Sequence, residues 1–166
     1  MVRVGTTIKL GLILVAASFM AACSSTKEEA PAPAAQPQTS SIKPGSADDF
    51  RVNVGDTIFF DLDSHSVRPD AQGVLQKQAA WLKQYPAVRL MVEGHCDERG
   101  TREYNLALGD RRAFSVKEFL VSLGVDAARL QVKSYGKERP ICTESDDSCW
   151  QQNRRGNSVI AAGAGS

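Results

Sequence analysis

The chain has 166 residues, of which 42% are hydrophobic, 23% charged and 7% aromatic. That composition excludes a fully disordered chain, a collagen-like repeat and a multi-pass membrane protein. The formal net charge is +1, and it becomes −1 once Arg3 and Lys9 are removed with the leader described next, which excludes electrostatic nucleic-acid binding as a class.

Arg3 and Lys9 give a positive start, Leu10 to Met20 is uncharged and almost wholly apolar, and Ala21, Ala22 and Cys23 follow. Eleven apolar residues at about 1.5 Å each fall short of a hydrocarbon core of about 30 Å, so the segment reads as a signal-peptide core rather than a span. Met20-Ala21-Ala22-Cys23 resembles a bacterial lipobox. In such signals the chain is cut before the cysteine, the thiol receives a diacylglycerol, and the new amine is acylated. A triacylated Cys23 would anchor the chain stably, whereas one acyl chain holds only marginally. Ser24, by resemblance to Gram-negative lipoproteins, points to the outer membrane with the domain facing the periplasm. The alternative is plain secretion.

Ser24 to about Ser46 is Ser, Thr, Ala, Pro and Gln with a few charges, and contains four of the seven prolines. It lacks the apolar content that would offset the entropy of ordering and is expected to be a disordered tether, spanning about 25–30 Å as a flexible coil. The expected division is therefore 1–22 signal peptide, 23–46 lipidated Cys23 and linker, and 47–166 folded domain.

Asp56 to Asp61 is β-branched and aromatic and predicts a strand, with Val52 and Val54 a small edge strand before Gly55. Pro69 opens a helix whose Val74, Leu75, Ala79 and Leu82 share one face and which ends near Tyr85-Pro86. Val88 to Glu93 alternates as a half-covered strand. After a loop over 94–100 comes the longest helical signal, with Leu106, Ala113, Val116, Leu120 and Leu123 as its buried stripe and Gly124 as its terminator. Thr101 and Asn105 are both candidate N-caps. Asp126 to Arg129 reads as a short helix, Leu130 to Tyr135 as a strand stopped by Gly136, and Arg155 to Ala161 as a last strand. The expected fold is α+β, a β-α-β-α-β-β sandwich with helices packed on one face of a small mixed sheet.

Val92-Glu93-Gly94-His95-Cys96-Asp97-Glu98-Arg99-Gly100-Thr101 is followed by Glu103-Tyr104-Asn105, Leu108-Gly109-Asp110-Arg111-Arg112-Ala113, Ser134-Tyr135-Gly136 and Asn153-Arg154-Arg155. With Phe60-Asp61-Leu62-Asp63 ahead of them, these motifs in this order closely resemble the OmpA-like peptidoglycan-binding domain, over about 100 residues. The resemblance implies non-covalent binding of peptidoglycan through the meso-diaminopimelate of its stem peptide. It places ligand contacts on Asp63, His95 (main chain), Asp97, Arg99, Leu108 and Arg112, and more loosely on Asn153 and Arg155. Similarity to the family's lipid-anchored members further implies TolB and other Tol proteins as partners, and a role in envelope integrity and cell division. The alternative is a periplasmic interaction module without Tol partners.

The chemistry agrees with that assignment. Diaminopimelate in an uncross-linked stem offers a free carboxylate and a free ammonium on one short side chain. Arg112 has a planar fork suited to the carboxylate, and Asp97 accepts from the ammonium. Leu108 lies one helical turn before Arg112. The competing possibility is a plain Asp97–Arg112 salt bridge holding the loop. On the ligand reading, replacing either residue by Ala removes retention by sacculi and leaves thermal unfolding unchanged.

Other constellations carry less. His65, His95, Cys96, Cys142 and Cys149 fit no zinc-ligand spacing, and no metal or cofactor is expected. His95-Cys96-Asp97-Glu98 lacks a nucleophile elbow and a second histidine at catalytic spacing, so no enzyme is expected. In an oxidising compartment Cys142 and Cys149 are expected to close a disulfide over the polar loop between them, leaving Cys96 as a small buried side chain. Gly156 and Asn157 are poor strand formers and predict a short last strand. Arg102 stands where similar sequences often have Pro.

Overall fold

The computed structural model describes residues 42–165, so the leader, Cys23 and the linker up to residue 41 lie outside the described residues. The elements run α1 (Ala47–Asp49), β1 (Thr57–Phe59), α2 (Pro69–Gln84), β2 (Arg89–His95), α3 (Arg102–Ser122), β3 (Leu130–Gly136), α4 (Asp147–Asn153) and β4 (Arg155–Ala162). The expected α+β class, with its alternating strands and helices, is what the chain adopts. Two short helices, α1 and α4, are additions to the predicted pattern.

The four strands form one mixed sheet in the order β1-β4-β2-β3. β4 runs antiparallel to both β1 and β2, while β2 and β3 are parallel and joined through α3. Side chains of α2 and α3 fill one face of this sheet against Ile58, Leu90, Val92 and Leu130, all buried. The alternation read from Val88 to Glu93 is this inward face.

Four details depart from expectation. Val52 and Val54 belong to a π-helical turn, Phe50–Val54, that continues α1 and stops at Gly55 with φ 92°. Two valines around one polar residue fit a helical turn as well as a strand, and only Phe50 of that turn is buried. On α3 Ala113, Val116 and Leu120 are buried as expected, but the first half of the buried face is Asn105, Leu108, Gly109 and Arg112, whereas Leu106 is exposed. A charged residue inside that stripe moves the sequence-based phase off register. The last strand is not short: it runs to Ala162 and pairs on both sides. Its glycine is closely packed there: a Cβ on Gly156 would sit 3.1 Å from Val116 Cγ2 and 3.2 Å from Phe60 Cε2. Ser158 is equally at home, since its hydroxyl donates to Gln78 Oε1 (3.0 Å) while Gln78 Nε2 donates to Gly55 O (2.7 Å), satisfying a fully buried amide. Finally, the segment before β4 is not merely a stapled loop. Its second half is α4, capped by Asp146 Oδ1, which accepts from Cys149 N.

One contact positions everything that follows. Gly94 of β2 and Gly109 of α3 meet backbone to backbone. A Cβ on Gly94 would be driven into the Gly109 carbonyl, and one on Gly109 would lie 2.9 Å from Gly94 O. Helix and sheet therefore approach more closely than side chains would permit. This brings the first half of α3 against the C-terminal ends of β2 and β3, the end where parallel strands commonly present ligand sites.

Candidate functional site

β2 ends with a register shift between Gly94 and His95, after which residues 97–100 form a loop leading into α3. Thr101 is the N-cap of α3, its hydroxyl accepting from Tyr104 N (3.2 Å), which settles the choice between Thr101 and Asn105. Asn105 instead holds the loop from within, its Nδ2 donating to Arg99 O (2.7 Å) and Thr101 O (3.0 Å). Lys137 Nζ donates to Glu98 O and Gly100 O from outside. A loop tied on both sides presents its side chains in a fixed geometry.

The loop borders a cleft of about 210 Å³ lined by Asp63, Asp97, Arg99, Tyr104, Leu108 and Arg112, among others. That is room for one short amino-acid side chain. Five of the predicted site residues, Asp63, Asp97, Arg99, Leu108 and Arg112, are thus gathered in one place. His95 is not among the residues lining the cleft; its carbonyl accepts from Arg112 Nη1 (2.8 Å).

Arg112 differs from its expected role. It is fully buried, and Nε, Nη1 and Nη2 donate to the carbonyls of Ser64 (2.8 Å), His95 (2.8 Å) and Asp61 (3.0 Å). It forms no ion pair with Asp97 or with any other carboxylate of the described residues, so the competing possibility of an Asp97–Arg112 salt bridge is not what the structure shows. Three of its five N–H groups donate to these neutral carbonyls, and the guanidinium also bonds the Cys96 thiol. Burial draws its pKa down, yet an arginine remains charged at any physiological pH. Because it joins three chain segments, it belongs to the fold as well as to the cleft. The expectation that its removal spares stability is therefore corrected.

Asp97, 5% exposed, is held instead by Arg99 and Arg154. Arg99 Nη2 donates to Oδ2 (2.7 Å), Arg99 Nε and backbone N to Oδ1 (3.1 Å each), and Arg154 Nη1 to Oδ2 (3.1 Å). Burial works against ionisation, but the bonds from Arg99 and then Arg154 outweigh it and hold the carboxyl below the ordinary range. The counterpart effect raises Arg99, chiefly through the same bond to Asp97. Asp63 stands at the cleft mouth with φ 54°, the one positive φ among described non-glycine residues, and accepts a hydrogen bond from the Tyr104 hydroxyl. Asp tolerates that backbone better than most residues.

Two looser candidates lie elsewhere. Asn153 spends its amide on Ile141 N, Cys142 N and Cys142 O. Arg155 is on the far face of the sheet, with Nη2 on Arg139 O (3.2 Å) and Nη1 buried without a partner. The His95 side chain also points away from the cleft and stacks on Tyr135 with centroids 5.4 Å apart. Burial, then Arg155 and Arg139, lower its pKa to about 4, so it is neutral at neutral pH.

Three contributors are not apparent from the sequence: Arg154 on Asp97, Tyr104 on Asp63, and Trp150, whose ring lies 4.0 Å from the Arg99 guanidinium carbon. Arg154 is visible as the middle of Asn153-Arg154-Arg155, but nothing in the pattern says which arginine meets Asp97. Cys142 and Cys149 are disulfide-bonded, with Cα atoms 5.2 Å apart, and Cys96 is a free buried cysteine under the cleft.

Residues 59–155 match the OmpA family. The chain is 61% identical over 123 residues to a peptidoglycan-associated lipoprotein of Mesorhizobium japonicum, covering 74% of this chain and 73% of that protein. It is 60% identical over 125 residues to the protein of the same name in Agrobacterium fabrum, covering 75% and 70%. Among solved structures it is similar to the peptidoglycan-associated lipoprotein of Burkholderia pseudomallei, with TM-score 0.62, 44% identity, and 63% and 89% of the two chains covered. The C-terminal domain of Helicobacter pylori MotB shares the fold at TM-score 0.60 and 23% identity, over 64% and 84% of the chains.

Proposed function

The chain belongs to the OmpA family, and from that premise we propose that it associates non-covalently with peptidoglycan by receiving the diaminopimelate side chain of the stem peptide in the cleft between the 97–100 loop and α3. The observation that carries this reading is Arg112, a buried cation bonded to neutral carbonyls and the Cys96 thiol, with no ion pair, at an open cleft whose remaining charged groups include Asp63, Asp97 and Arg99. A buried cation without an ion-pair partner favours an incoming anion, and the planar guanidinium suits a carboxylate. Asp63 is the acid best placed for the ammonium, since Asp97 already serves two arginines. Leu108 supplies apolar contact for the methylenes between.

In the whole protein, 1–22 is the signal peptide, Cys23 carries acyl chains in the outer membrane, 23–46 crosses the gap, and 47–166 faces the periplasm and holds the wall. Tol proteins, TolB among them, are the partners, and envelope integrity and cell division are the processes served. The names of the relatives at 60–61% identity support the lipoprotein and wall-binding parts of this reading. No catalytic step belongs to it. A second reading, a module that chiefly engages proteins, is favoured by Phe114 and Val121, exposed on the outer side of α3.

The deciding experiment is titration of the domain with the tripeptide L-Ala-γ-D-Glu-meso-diaminopimelate. Binding that is lost in Asp63→Asn supports the first reading. Absence of binding by the parent removes it in favour of the second.

A further inference from the structure

The groups that hold Arg99 are not confined to its own loop. Trp150 lies on α4, far along the chain, yet its ring faces the Arg99 guanidinium at 4.0 Å, and its indole N–H donates to Glu98 Oε1 (3.0 Å). One side chain thus touches two successive residues of the loop that carries Asp97. Four residues on, Arg154 donates to Asp97 Oδ2. Positions i and i+4 share one side of a helix, so α4 and its C-cap deliver a stacking surface and a donor to the same loop. A helix of seven residues is too short to persist unaided. Here it is fixed by the Asp146 cap and by the disulfide to Cys142, whose partner Cys149 is fully buried and immediately precedes Trp150.

We propose that Trp150 is a positioning residue of the cleft: its indole face holds the Arg99 guanidinium against Asp97, so that both side chains are set in their binding geometry before a ligand arrives. This rests on the reading of the cleft as the ligand site. An arginine side chain is otherwise long and rotamer-rich, and Arg99 is about one-third exposed. Stacking on an indole removes that freedom, and fixing a binding group in advance lowers the entropy lost on association.

The test combines binding of the diaminopimelate tripeptide with a measurement that needs no ligand. Trp150→Ala is expected to raise the Kd by about five- to twenty-fold, and Trp150→Phe, which keeps a ring but no donor, to return it to within about two-fold of the parent. In an Arg99→Ala background Trp150→Ala is expected to add nothing, because the two act as one unit. A Trp150→Ala Kd equal to the parent's, a full additional effect without Arg99, or failure of a folded Trp150→Phe to rescue would each overturn the proposal. In ligand-free protein, the ring current of Trp150 should shift the Arg99 δ-methylene protons upfield, and Trp150→Ala should abolish that shift. Unshifted protons in the parent would also overturn it. Shifted protons in a parent that does not bind the tripeptide would sustain the positioning and refute the ligand reading instead.

Discussion

Replacing Arg112 by Ala tests the double role of this side chain. The substitution leaves the carbonyls of Asp61, Ser64 and His95 without their donor. Hydrogen bonds to a charged group are each worth about 1.5–3 kcal/mol, so the gross loss is about 5–9 kcal/mol. Two effects reduce it: the bonds to Asp61 and Ser64 are only partly buried, so water can reach those carbonyls, and the desolvation penalty of the cation disappears with it. A net loss of about 3–5 kcal/mol remains, a large fraction of the 5–15 kcal/mol typical of a domain. For a unit of this size that corresponds to a fall in Tm of roughly 10–20 °C. Guanidinium denaturation followed by far-UV circular dichroism measures it, with the thermal midpoint as a check. A fall of less than about 3 °C, with an unchanged denaturant slope, would refute the argument and return Arg112 to the purely ligand-facing role that the sequence suggests.

His95, neutral in the fold with its pKa lowered to about 4 from an ordinary value near 6.5, takes up a proton more readily in the unfolded chain. Its contribution is therefore fully present above about pH 6.5 and is lost as the pH falls toward 4. Between pH 7 and 4.5 the parent should lose about 2–3 kcal/mol more than His95→Gln, read as the difference in denaturation midpoints; parallel losses would contradict this. Gly94→Ala puts a methyl group into the Gly109 carbonyl and must push α3 off β2. It should cost at least about 1–3 kcal/mol and weaken tripeptide binding, whereas a change below about 0.5 kcal/mol in calorimetry would show that helix and sheet separate freely.

Much of the fold is legible because periodicity reports burial. β2 and β3 alternate, α2 begins at Pro69, and α3 is capped by Thr101 and followed by Gly124, each signalled by local chemistry. The errors share a cause: a residue whose type misreports its environment. Arg112 looks like a surface residue and sits in the buried stripe of α3, so the apolar pattern favours Leu106 in place of Leu108. Gly156 looks like a strand breaker, yet it sits inside β4, packed closely under Val116 and Phe60. The polar run before β4 conceals a helix because its stability comes from a disulfide and a cap rather than from an apolar face, although Asp146 is a readable cap. In the site, the motifs name five residues that the fold brings to one cleft, Asp63, Asp97, Arg99, Leu108 and Arg112, but not their pairing. Asp97 meets Arg99 and Arg154 while Arg112 is taken up by the carbonyls of Ser64, His95 and Asp61, a tertiary arrangement that no spacing rule encodes.

The central claim is that the cleft recognises a side chain bearing both charges. Two tripeptides separate it from simpler attraction: L-Ala-γ-D-Glu-meso-diaminopimelate and L-Ala-γ-D-Glu-L-Lys, which differ only in the carboxylate beside the distal ammonium. Isothermal titration should give a Kd at least about ten-fold lower for the diaminopimelate peptide, since one charge-assisted contact to Arg112 is worth about 1.5–3 kcal/mol. Equal affinity for the two peptides would contradict the account.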